Sequence, residues 1–357
     1  MWATRNVLFA CAGALACASV AVAAPTSMTP NLIVFGNSLS DDGNLSNMVG
    51  GAGYWHGRFT NSYVWNEYTA KILGVTLVNK AIAGATSNND ITPGDSSNIT
   101  IPSFHDQVTA WLKDNAQPGQ FHLHNDVIEV EIGGNDILGH ALDLMTGALN
   151  PATFAAQLAG SIANDIEALA AAGYRNIDLW NLPAVEMAPY VVSLGASALV
   201  KPVIDMVNVA ITKAVTTVAA KHGGGASGIR VRDLNGLIRA ALQPQVLSAM
   251  DIADTTHACY VKDTSSGAVS VCSNPDQYFF YDSIHPASRM HYLWGTAAAA
   301  LIRNPTAQLD VSTVMSLIDK YYIGQSNSQS NIIAGSVQPT YTSHIPEPTP
   351  TTLPKCH

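Results

Sequence analysis

The stretch that decides the fold is NLIVFGNSLSDDGN, residues 31–44. Its first half is a short, apolar, β-branched run, which predicts a buried strand. From Gly36 onward the sequence turns polar, with two serines and two aspartates. This change predicts a turn at the end of the strand. Because ligands of open parallel sheets bind beyond the carboxyl ends of the strands, we expect this turn to lie at the functional site.

Similar apolar runs recur along the chain, and helix-like segments separate them. The later runs are VTLVN, DVIEVEIGG, NIDLWNLP and IRVRDLN, and one of the long helix-like segments is PATFAAQLAGSIANDIEALAAAG. Strand and helix in repeated alternation are typical of a sheet covered on both faces. The sequence therefore predicts an α/β fold, a three-layer α/β/α sandwich with a parallel, flavodoxin-like sheet of about five strands.

The composition favours a large core and excludes one class of partner. The chain has 357 residues, of which 47% are hydrophobic and 12% are charged, and its formal net charge is −9. This hydrophobic content is ample for a sizeable core. Because no long basic run would neutralise a row of phosphates, we expect no nucleic-acid partner.

The two ends of the chain differ in character from the middle. Arg5 precedes the small, apolar run VLFACAGALACASVAVAA, which is typical of an export signal. We expect a signal peptide over residues 1–23 and a secreted, extracellular protein, with a membrane anchor as the alternative interpretation. A single folded domain is expected over residues 28–325. Residues 326–357 are rich in Pro, Thr and Ser, which predicts a disordered tail.

The cysteines predict one disulfide bond. Cys11 and Cys17 fall in the expected signal, which leaves Cys259, Cys272 and Cys356. Cys259 and Cys272 flank YVKDTSSGAVSV, a pattern typical of a hairpin with a turn at SSG. We expect these two cysteines to bond to each other in an oxidising compartment. The competing pairings use Cys356.

A serine in the polar turn becomes a nucleophile only if a base takes its proton and a carboxylate orients that base. YFFYDSIHPASRMH, near the end of the domain, places Asp282 and His285 three residues apart after an aromatic, strand-like run. One turn of chain brings such side chains together. We therefore expect His285 to contact Asp282 with one ring nitrogen and Ser38 with the other.

The polar turn also has structural interpretations. Ser38 alone is typical of a capping residue, and Ser40 is its rival as the nucleophile. We expect Ser40 to satisfy backbone groups of the turn. Asp41 and Asp42 are expected to cap the following segment rather than to serve as the triad acid.

Two further strand ends carry candidate donors for a negatively charged oxygen. Gly84, in NKAIAGATS, offers a backbone N–H that a substrate can approach closely, because no side chain intervenes. Asn135, in IGGND, offers a neutral amide. Each residue alone is also typical of an ordinary turn. For the neighbouring Asp136 we expect a structural hydrogen bond.

Taken in order, FGNSLSDDGN, NKAIAGATS, IGGND and DSIH resemble the four sequence blocks of the SGNH hydrolases, also called the GDSL esterase/lipase family. The resemblance runs from about residue 31 to residue 300. YWHGRFTNSYVWNEY and NLPAVEMAP are similar to segments of the branch that includes secreted phospholipases, acyltransferases and acetylesterases.

The resemblance implies a role for each residue. Ser38 would be the nucleophile, His285 the general base and then the acid, and Asp282 the residue that orients the imidazole. The N–H groups of Ser38 and Gly84 and the amide of Asn135 would form the oxyanion hole. No metal and no organic cofactor would be needed.

One position departs from the family pattern. The chain has Asn37 where the family has an aspartate before the nucleophile. Asparagine keeps the shape and one carbonyl acceptor but removes a charge near the site. We expect activity to survive at a reduced level.

The resemblance implies a secreted serine esterase or lipase that cleaves carboxylic esters through an acyl-enzyme. The expected substrates are lipid or lysophospholipid acyl esters. An acetylesterase acting on plant polysaccharide and a non-catalytic binding protein on a hydrolase scaffold are the alternatives. We expect a monomer whose partner is its ester substrate, with peripheral contact to a membrane.

Overall fold

The computed structural model describes residues 30–49, 54–96, 99–115, 125–223, 228–263 and 265–335. The expected signal peptide and residues 336–357 of the expected tail lie outside the described residues.

The strands are β1 (Asn31–Gly36), β2 (Thr76–Asn79), β3 (Asp95–Ser96), β4 (Ile99–Thr100), β5 (Val127–Glu131), β6 (Asn176–Trp180), β7 (Ile229–Arg232), β8 (Asp254–Ala258), β9 (Tyr260–Lys262), β10 (Val269–Val271) and β11 (Tyr278–Phe280). The α-helices are α1 (Asn44–Val49), α2 (Trp65–Leu73), α3 (Phe104–Asp114), α4 (Gly134–Gly139), α5 (Ala141–Thr146), α6 (Pro151–Ala171), α7 (Pro189–Ser193), α8 (Ser197–Lys221), α9 (Leu234–Ala241), α10 (Pro244–Ala249), α11 (Ser288–Arg303) and α12 (Val311–Tyr321).

The central sheet has the strand order β2-β1-β5-β6-β7, and all of its neighbouring strands are parallel. Side chains of β1 alternate between the two faces, as the pleat of a strand requires. Ile33 and Phe35 pack with α3, α6 and α8, whereas Leu32 and Val34 pack with α2, α9, α11 and α12. The predicted α/β/α sandwich with a parallel sheet of five strands is confirmed.

Helix α8 covers one face of this sheet. It is the one helix among the described residues that is long and apolar enough to cross a membrane by length and composition. Its buried side chains pack against α6 and the sheet; they are Val200, Val203, Ile204, Val207, Ile211, Val215 and Val218. One face of α8 is therefore buried in the core, whereas its other face carries exposed apolar side chains such as Leu199 and Val209.

A small hairpin projects between β8 and β11. Strands β9 and β10 pair antiparallel, and Cys259 and Cys272 form a disulfide bond at the base of the pair. The predicted hairpin and the predicted pairing of these two cysteines are confirmed.

The first ten residues of the expected tail, 326–335, are folded. The segment from Ser326 to residue 335 packs against the domain, with Asn331 and Ile332 buried. The Arg289 side chain donates a hydrogen bond to the Ser326 carbonyl at 3.1 Å. The prediction was wrong at this boundary because the overall composition of residues 326–357 conceals a short segment that the domain buries.

Helices α2 and α11 approach each other closely at Gly295. A Cβ atom at this position would lie 2.5 Å from the Trp65 carbonyl oxygen and 2.6 Å from the Tyr68 Cβ. The Thr69 hydroxyl bridges the two helices by donating to the carbonyl oxygens of Trp65 and Gly295. Because the obstructing atoms include backbone, the helices cannot keep this distance with a larger residue.

We therefore expect Gly295→Ala to lower the free energy of unfolding by about 2–4 kcal/mol, because overpacking forces the helices apart. Urea denaturation measures the change. Gly160→Ala is the matched control, since Gly160 lies in α6 with open space around its Cβ position. It should raise stability by up to about 1 kcal/mol through helix propensity. Equal effects of the two substitutions would contradict the close approach.

Candidate active site

The site begins where β1 and β5 end side by side. Gly36 is paired with Glu131, and a Cβ at Gly36 would lie 2.5 Å from the Glu131 carbonyl oxygen. Only glycine fits this approach. The Gln107 amide of α3 holds the same residue on both sides, accepting from the Gly36 N–H at 3.1 Å and donating to the Gly36 carbonyl at 3.0 Å. The chain therefore leaves the sheet in a fixed direction.

The turn after β1 leaves one serine half-buried and buries the other fully. The Asn37 carboxamide oxygen accepts from the Leu39 N–H at 2.9 Å. Ser40 is fully buried, and its hydroxyl accepts a hydrogen bond from the Trp65 indole at 3.0 Å. Ser40 is therefore structural, although its hydroxyl binds an indole and not the backbone groups we expected. Ser38 is the serine that reaches a cavity.

Asp41 ties this turn to the next strand end. Its buried carboxylate accepts from the N–H groups of Gly43 and Leu45 at the start of α1, and from the Ala83 N–H at 2.7 Å. Burial raises the pKa of Asp41, although these backbone bonds oppose the shift. The expected capping role of Asp41 is confirmed, and the same carboxylate also fixes the loop that carries Gly84.

Three distant side chains converge at the cavity. The His285 Nε2 atom lies 2.7 Å from the Ser38 Oγ atom, and its Nδ1 atom lies 2.7 Å from the Asp282 Oδ2 atom. The other oxygen of Asp282 accepts from the N–H groups of Ile284 and His285 at 2.8 and 2.7 Å. The structure thus brings together the residues predicted from the DSIH segment and the first turn. Their chemical roles stay predictions at this point.

The charge on Asp282 is well stabilised despite its burial. Burial alone would raise the pKa of Asp282, but the charge of His285 and hydrogen bonds from His285 and Ile284 outweigh it. The resulting pKa is about 2. A carboxylate in this state can orient an imidazole and stabilise it when the imidazole is protonated.

Two of the predicted donors for a charged oxygen come from neighbouring loops, since the Asn135 amide contacts the residue that follows Gly84. Gly84 has φ +88° in the turn after β2, a conformation that favours glycine. Asn135, in the first turn of α4, donates from its amide to the Ala85 carbonyl at 2.8 Å, which leaves its second amide hydrogen for another acceptor. In the described part of the chain, the N–H groups of Ser38 and Gly84 bond to no acceptor. Their role in an oxyanion hole stays a prediction.

Asp136 has the structural hydrogen bonds expected of it. Its carboxylate accepts from the Ser87 N–H at 2.9 Å and from the Ser87 hydroxyl at 2.6 Å. These bonds hold the loop after β2 against the start of α4, so the strand ends that carry Gly84 and Asn135 keep their relative positions.

A cavity of about 70 Å³ opens beside Ser38 and His285, and we call it the Ser38 cavity. Asn37 and Asn135 are the other polar side chains of its mouth. The rest of its lining is almost wholly apolar: Leu39, Gly134, Leu138, Pro183, Ala184, Val185, Ala188, Leu234, Ile238, Phe279, Phe280, Ile284, Pro286, Met290 and Trp294. An apolar group attached to a reacting carbonyl fits this lining.

Sequence reasoning missed three residues of the site. Tyr54 donates a hydrogen bond from its hydroxyl to Asp282, Gln107 fixes Gly36, and Glu131 lies buried behind Asn37. Nothing in their spacing marks them, because each acts across the fold on a residue distant in sequence.

The buried carboxyl of Glu131 gives a physical reason for Asn37. Burial raises the pKa of Glu131 to about 8, and the Asn37 amide opposes part of this shift. The contact is a weak one, since neither carboxyl oxygen has a well-formed hydrogen bond among the described residues. An aspartate at position 37 would place a second carboxyl in the same buried space, where like charges repel.

We expect Glu131 to make stability depend on pH. Its carboxyl is protonated at neutral pH in the folded state but loses its proton in the unfolded chain above about pH 4.5. The free energy of unfolding should therefore fall as pH rises from about 4.5 to 8, by up to about 5 kcal/mol, and then level off. Glu131→Gln should flatten this part of the curve, as measured by urea denaturation at a series of pH values.

Asn37→Asp is the companion variant, and it should steepen the fall in stability over the same pH range. If the free energy of unfolding varies with pH in the same way in the wild type and in Glu131→Gln, Glu131 is ionised in the folded protein at all these pH values, which would contradict the prediction.

The chain is similar to known proteins in sequence and in fold. A model of the family "GDSL-like Lipase/Acylhydrolase" matches residues 32–297. The chain is 26% identical over 167 residues to "Thermolabile hemolysin" of Vibrio parahaemolyticus, a match that covers 44% of this chain and 35% of that protein. It is 27% identical over 190 residues to "Phosphatidylcholine-sterol acyltransferase" of Aeromonas hydrophila, a match that covers 51% of this chain and 52% of that protein.

The matches thus span about one third to one half of the length of these curated relatives. Among solved structures, the chain is similar to Est24, a carbohydrate acetylesterase from Sinorhizobium meliloti, with a TM-score of 0.42 and 13% identity. That alignment covers 77% of this chain and 98% of Est24. Because the family model extends over more than half of the sequence, the chain belongs to the GDSL-like lipase/acylhydrolase family.

Proposed function

We propose that this protein hydrolyses carboxylic esters through an acyl-enzyme formed on Ser38. The observation that carries the proposal is the continuous chain of hydrogen bonds from the Ser38 hydroxyl through His285 to the carboxylate of Asp282. A serine held this way has a base for its proton, and the base has an orienting partner.

The first half of the reaction forms the acyl-enzyme. As the Ser38 Oγ atom attacks the ester carbonyl carbon, its proton passes to the His285 Nε2 atom. The carbonyl oxygen becomes negative and accepts from the N–H groups of Ser38 and Gly84 and from the Asn135 amide. The tetrahedral intermediate then collapses: the bond to the alcohol oxygen breaks, and His285 gives that oxygen the proton.

The second half restores the enzyme. Water attacks the acyl carbon and gives one proton to His285, and the Ser38 oxygen leaves and takes that proton back. The products are a carboxylic acid and an alcohol. Asp282, whose pKa is about 2, stays ionised throughout and stabilises the protonated imidazole.

We propose lipid acyl esters as the substrates, on the strength of the apolar lining of the Ser38 cavity. One observation favours a second candidate, a short-chain acetylesterase. The volume of the cavity is only about 70 Å³, whereas a cavity of about 150 Å³ holds one benzene molecule. An acetyl group therefore fits the cavity as it stands, whereas a long acyl chain must extend beyond it or displace its wall.

We also propose that the protein works in an oxidising compartment outside the cytoplasm. The Cys259–Cys272 disulfide and the signal-like sequence of residues 1–23 support this. A monomeric state and peripheral contact with a membrane stay predictions.

Ser38→Ala tests the reaction. We expect the kcat for a short-chain p-nitrophenyl ester to fall by about 10⁴-fold or more, because the other triad members cannot act without the nucleophile. Ser283→Ala is the matched control, since Ser283 lies between Asp282 and His285 with its side chain exposed. It should retain nearly full activity. A rate that Ser38→Ala leaves unchanged would favour a binding protein instead.

Ile238→Trp tests the cavity as the acyl site. Ile238 lines the cavity from α9, so the larger side chain should reduce kcat/KM for an octanoate ester at least tenfold more than for an acetate ester. The size of this change follows from the loss of about 1–3 kcal/mol of apolar binding.

Leu242→Trp, four residues later and outside the cavity lining, is the control and should leave the ratio of the two rates unchanged. An equal loss of kcat/KM for both esters in Ile238→Trp would place the acyl chain elsewhere.

The wild-type enzyme separates the two candidate substrates. A higher kcat/KM for the octanoate ester supports a lipid esterase, and a higher kcat/KM for the acetate ester supports an acetylesterase.

A further inference from the structure

We propose that Tyr54 is a positioning residue for ester hydrolysis, which holds the triad carboxylate through its hydroxyl and is itself held by the Cys259–Cys272 hairpin. The inference rests on the proposed function and deepens it. Tyr54 is not among the residues that line the Ser38 cavity, and its hydroxyl donates to Asp282, so it acts through Asp282.

The first observation is the hydrogen bond between Tyr54 and Asp282. The Tyr54 hydroxyl donates to the Asp282 Oδ2 atom at 2.8 Å, and the same oxygen receives the His285 Nδ1 atom at 2.7 Å. Both carboxylate oxygens thus have two donors each, since Oδ1 accepts from two backbone N–H groups. A carboxylate held from four directions cannot rotate away from the imidazole.

The second observation is that Tyr54 stays a donor throughout the working pH range. Burial and the neighbouring charge of Asp282 both raise the pKa of Tyr54 above its usual value. The titratable side chains around the pair are His285, Tyr260 and Tyr281, and His285 in turn interacts with the buried His291 of α11. Burial lowers the pKa of His291 to about 3, so this imidazole is neutral.

The third observation is a shell of aromatic rings that fixes Tyr54. Its ring stacks on Tyr260 at 5.0 Å, lies 4.7 Å from Phe59 and meets the edge of Tyr281 at 6.1 Å. Phe59 in turn lies 5.1 Å from the His285 imidazole. Such ring pairs stabilise one another beyond the effect of burial alone.

The disulfide lies at the outer side of this shell. Tyr260 directly follows Cys259, and both residues are buried in one small cluster with Tyr281 and Ala287. The Tyr260 N–H donates to the Tyr281 carbonyl at 2.6 Å, one residue before Asp282. The bond to Cys272 therefore anchors the residue on which the Tyr54 ring rests.

These contacts predict two effects of the Tyr54 hydroxyl. It keeps Asp282 in place while His285 accepts and returns its proton. The hydroxyl also shares the Asp282 Oδ2 atom with His285 and so weakens the interaction between this oxygen and the protonated imidazole. Removing the hydroxyl should therefore strengthen that interaction. The acid limb of the pH–rate profile then moves to higher pH.

Tyr54→Phe tests this, because it removes the hydroxyl and keeps the ring. We expect kcat to fall about three- to tenfold with KM nearly unchanged, and the acid limb of kcat/KM to move up by about half a pH unit. The thermal midpoint should stay within about 2 °C. Tyr63→Phe, which lacks a contact to Asp282 among the described residues, is the matched control and should leave kcat and the pH profile as in the wild type.

The paired substitution Cys259→Ser with Cys272→Ser tests the support of Tyr54. It should move the acid limb in the same direction by a smaller amount, and it should add little when Tyr54→Phe is already present, because both changes act through one contact. Equal additional shifts in the two backgrounds would overturn the link between the hairpin and Tyr54.

An unchanged kcat and pH profile in Tyr54→Phe would overturn the positioning role. This failure differs from a failure of the proposed function. Activity that depends on Ser38 but not on the Tyr54 hydroxyl refutes only this inference, whereas activity that survives Ser38→Ala refutes the proposed function itself.

Discussion

The active site depends on one hydrogen bond, the 2.7 Å contact between the His285 imidazole and the Ser38 hydroxyl, which are 247 positions apart in sequence. A contact between such distant residues forms only when the segments that carry them have come together in the fold. The parallel register of β1 with β5 and the chain reversal after β11 must both be in place before imidazole and hydroxyl meet. Fold and chemistry are therefore coupled in this protein: a change that shifts a strand end also shifts the reacting groups.

The surroundings of that bond show how the fold limits movement at the site. Gln107 fixes the end of β1, Asp41 joins the first turn to the loop of Gly84, and Asp136 joins that loop to α4. Each of these buried side chains accepts a hydrogen bond from at least one backbone N–H, and so holds the main chain in place. A polar network satisfied in this way gives a single arrangement, because each broken bond would leave a buried group without a partner.

The strand-helix alternation, the turn after the first strand and the DSIH spacing were readable in the sequence because they depend on local patterns. The pairing of Cys259 with Cys272 was readable for the same reason, since a short hairpin lies between them. Tyr54, Gln107 and Glu131 were not, because their roles come from neighbours far away in sequence. The folded start of the expected tail was missed because composition, averaged over a segment, does not reveal a few buried residues such as Ile332.

The central claim is that Ser38 is the reacting nucleophile, and covalent labelling tests it most directly. The protein is treated with a fluorophosphonate that reacts with activated serines, and the labelled peptide is identified by mass spectrometry. The account predicts one adduct, on Ser38, that disappears when His285 is replaced by alanine. An adduct on another serine, or labelling of Ser38 that is independent of His285, would contradict it.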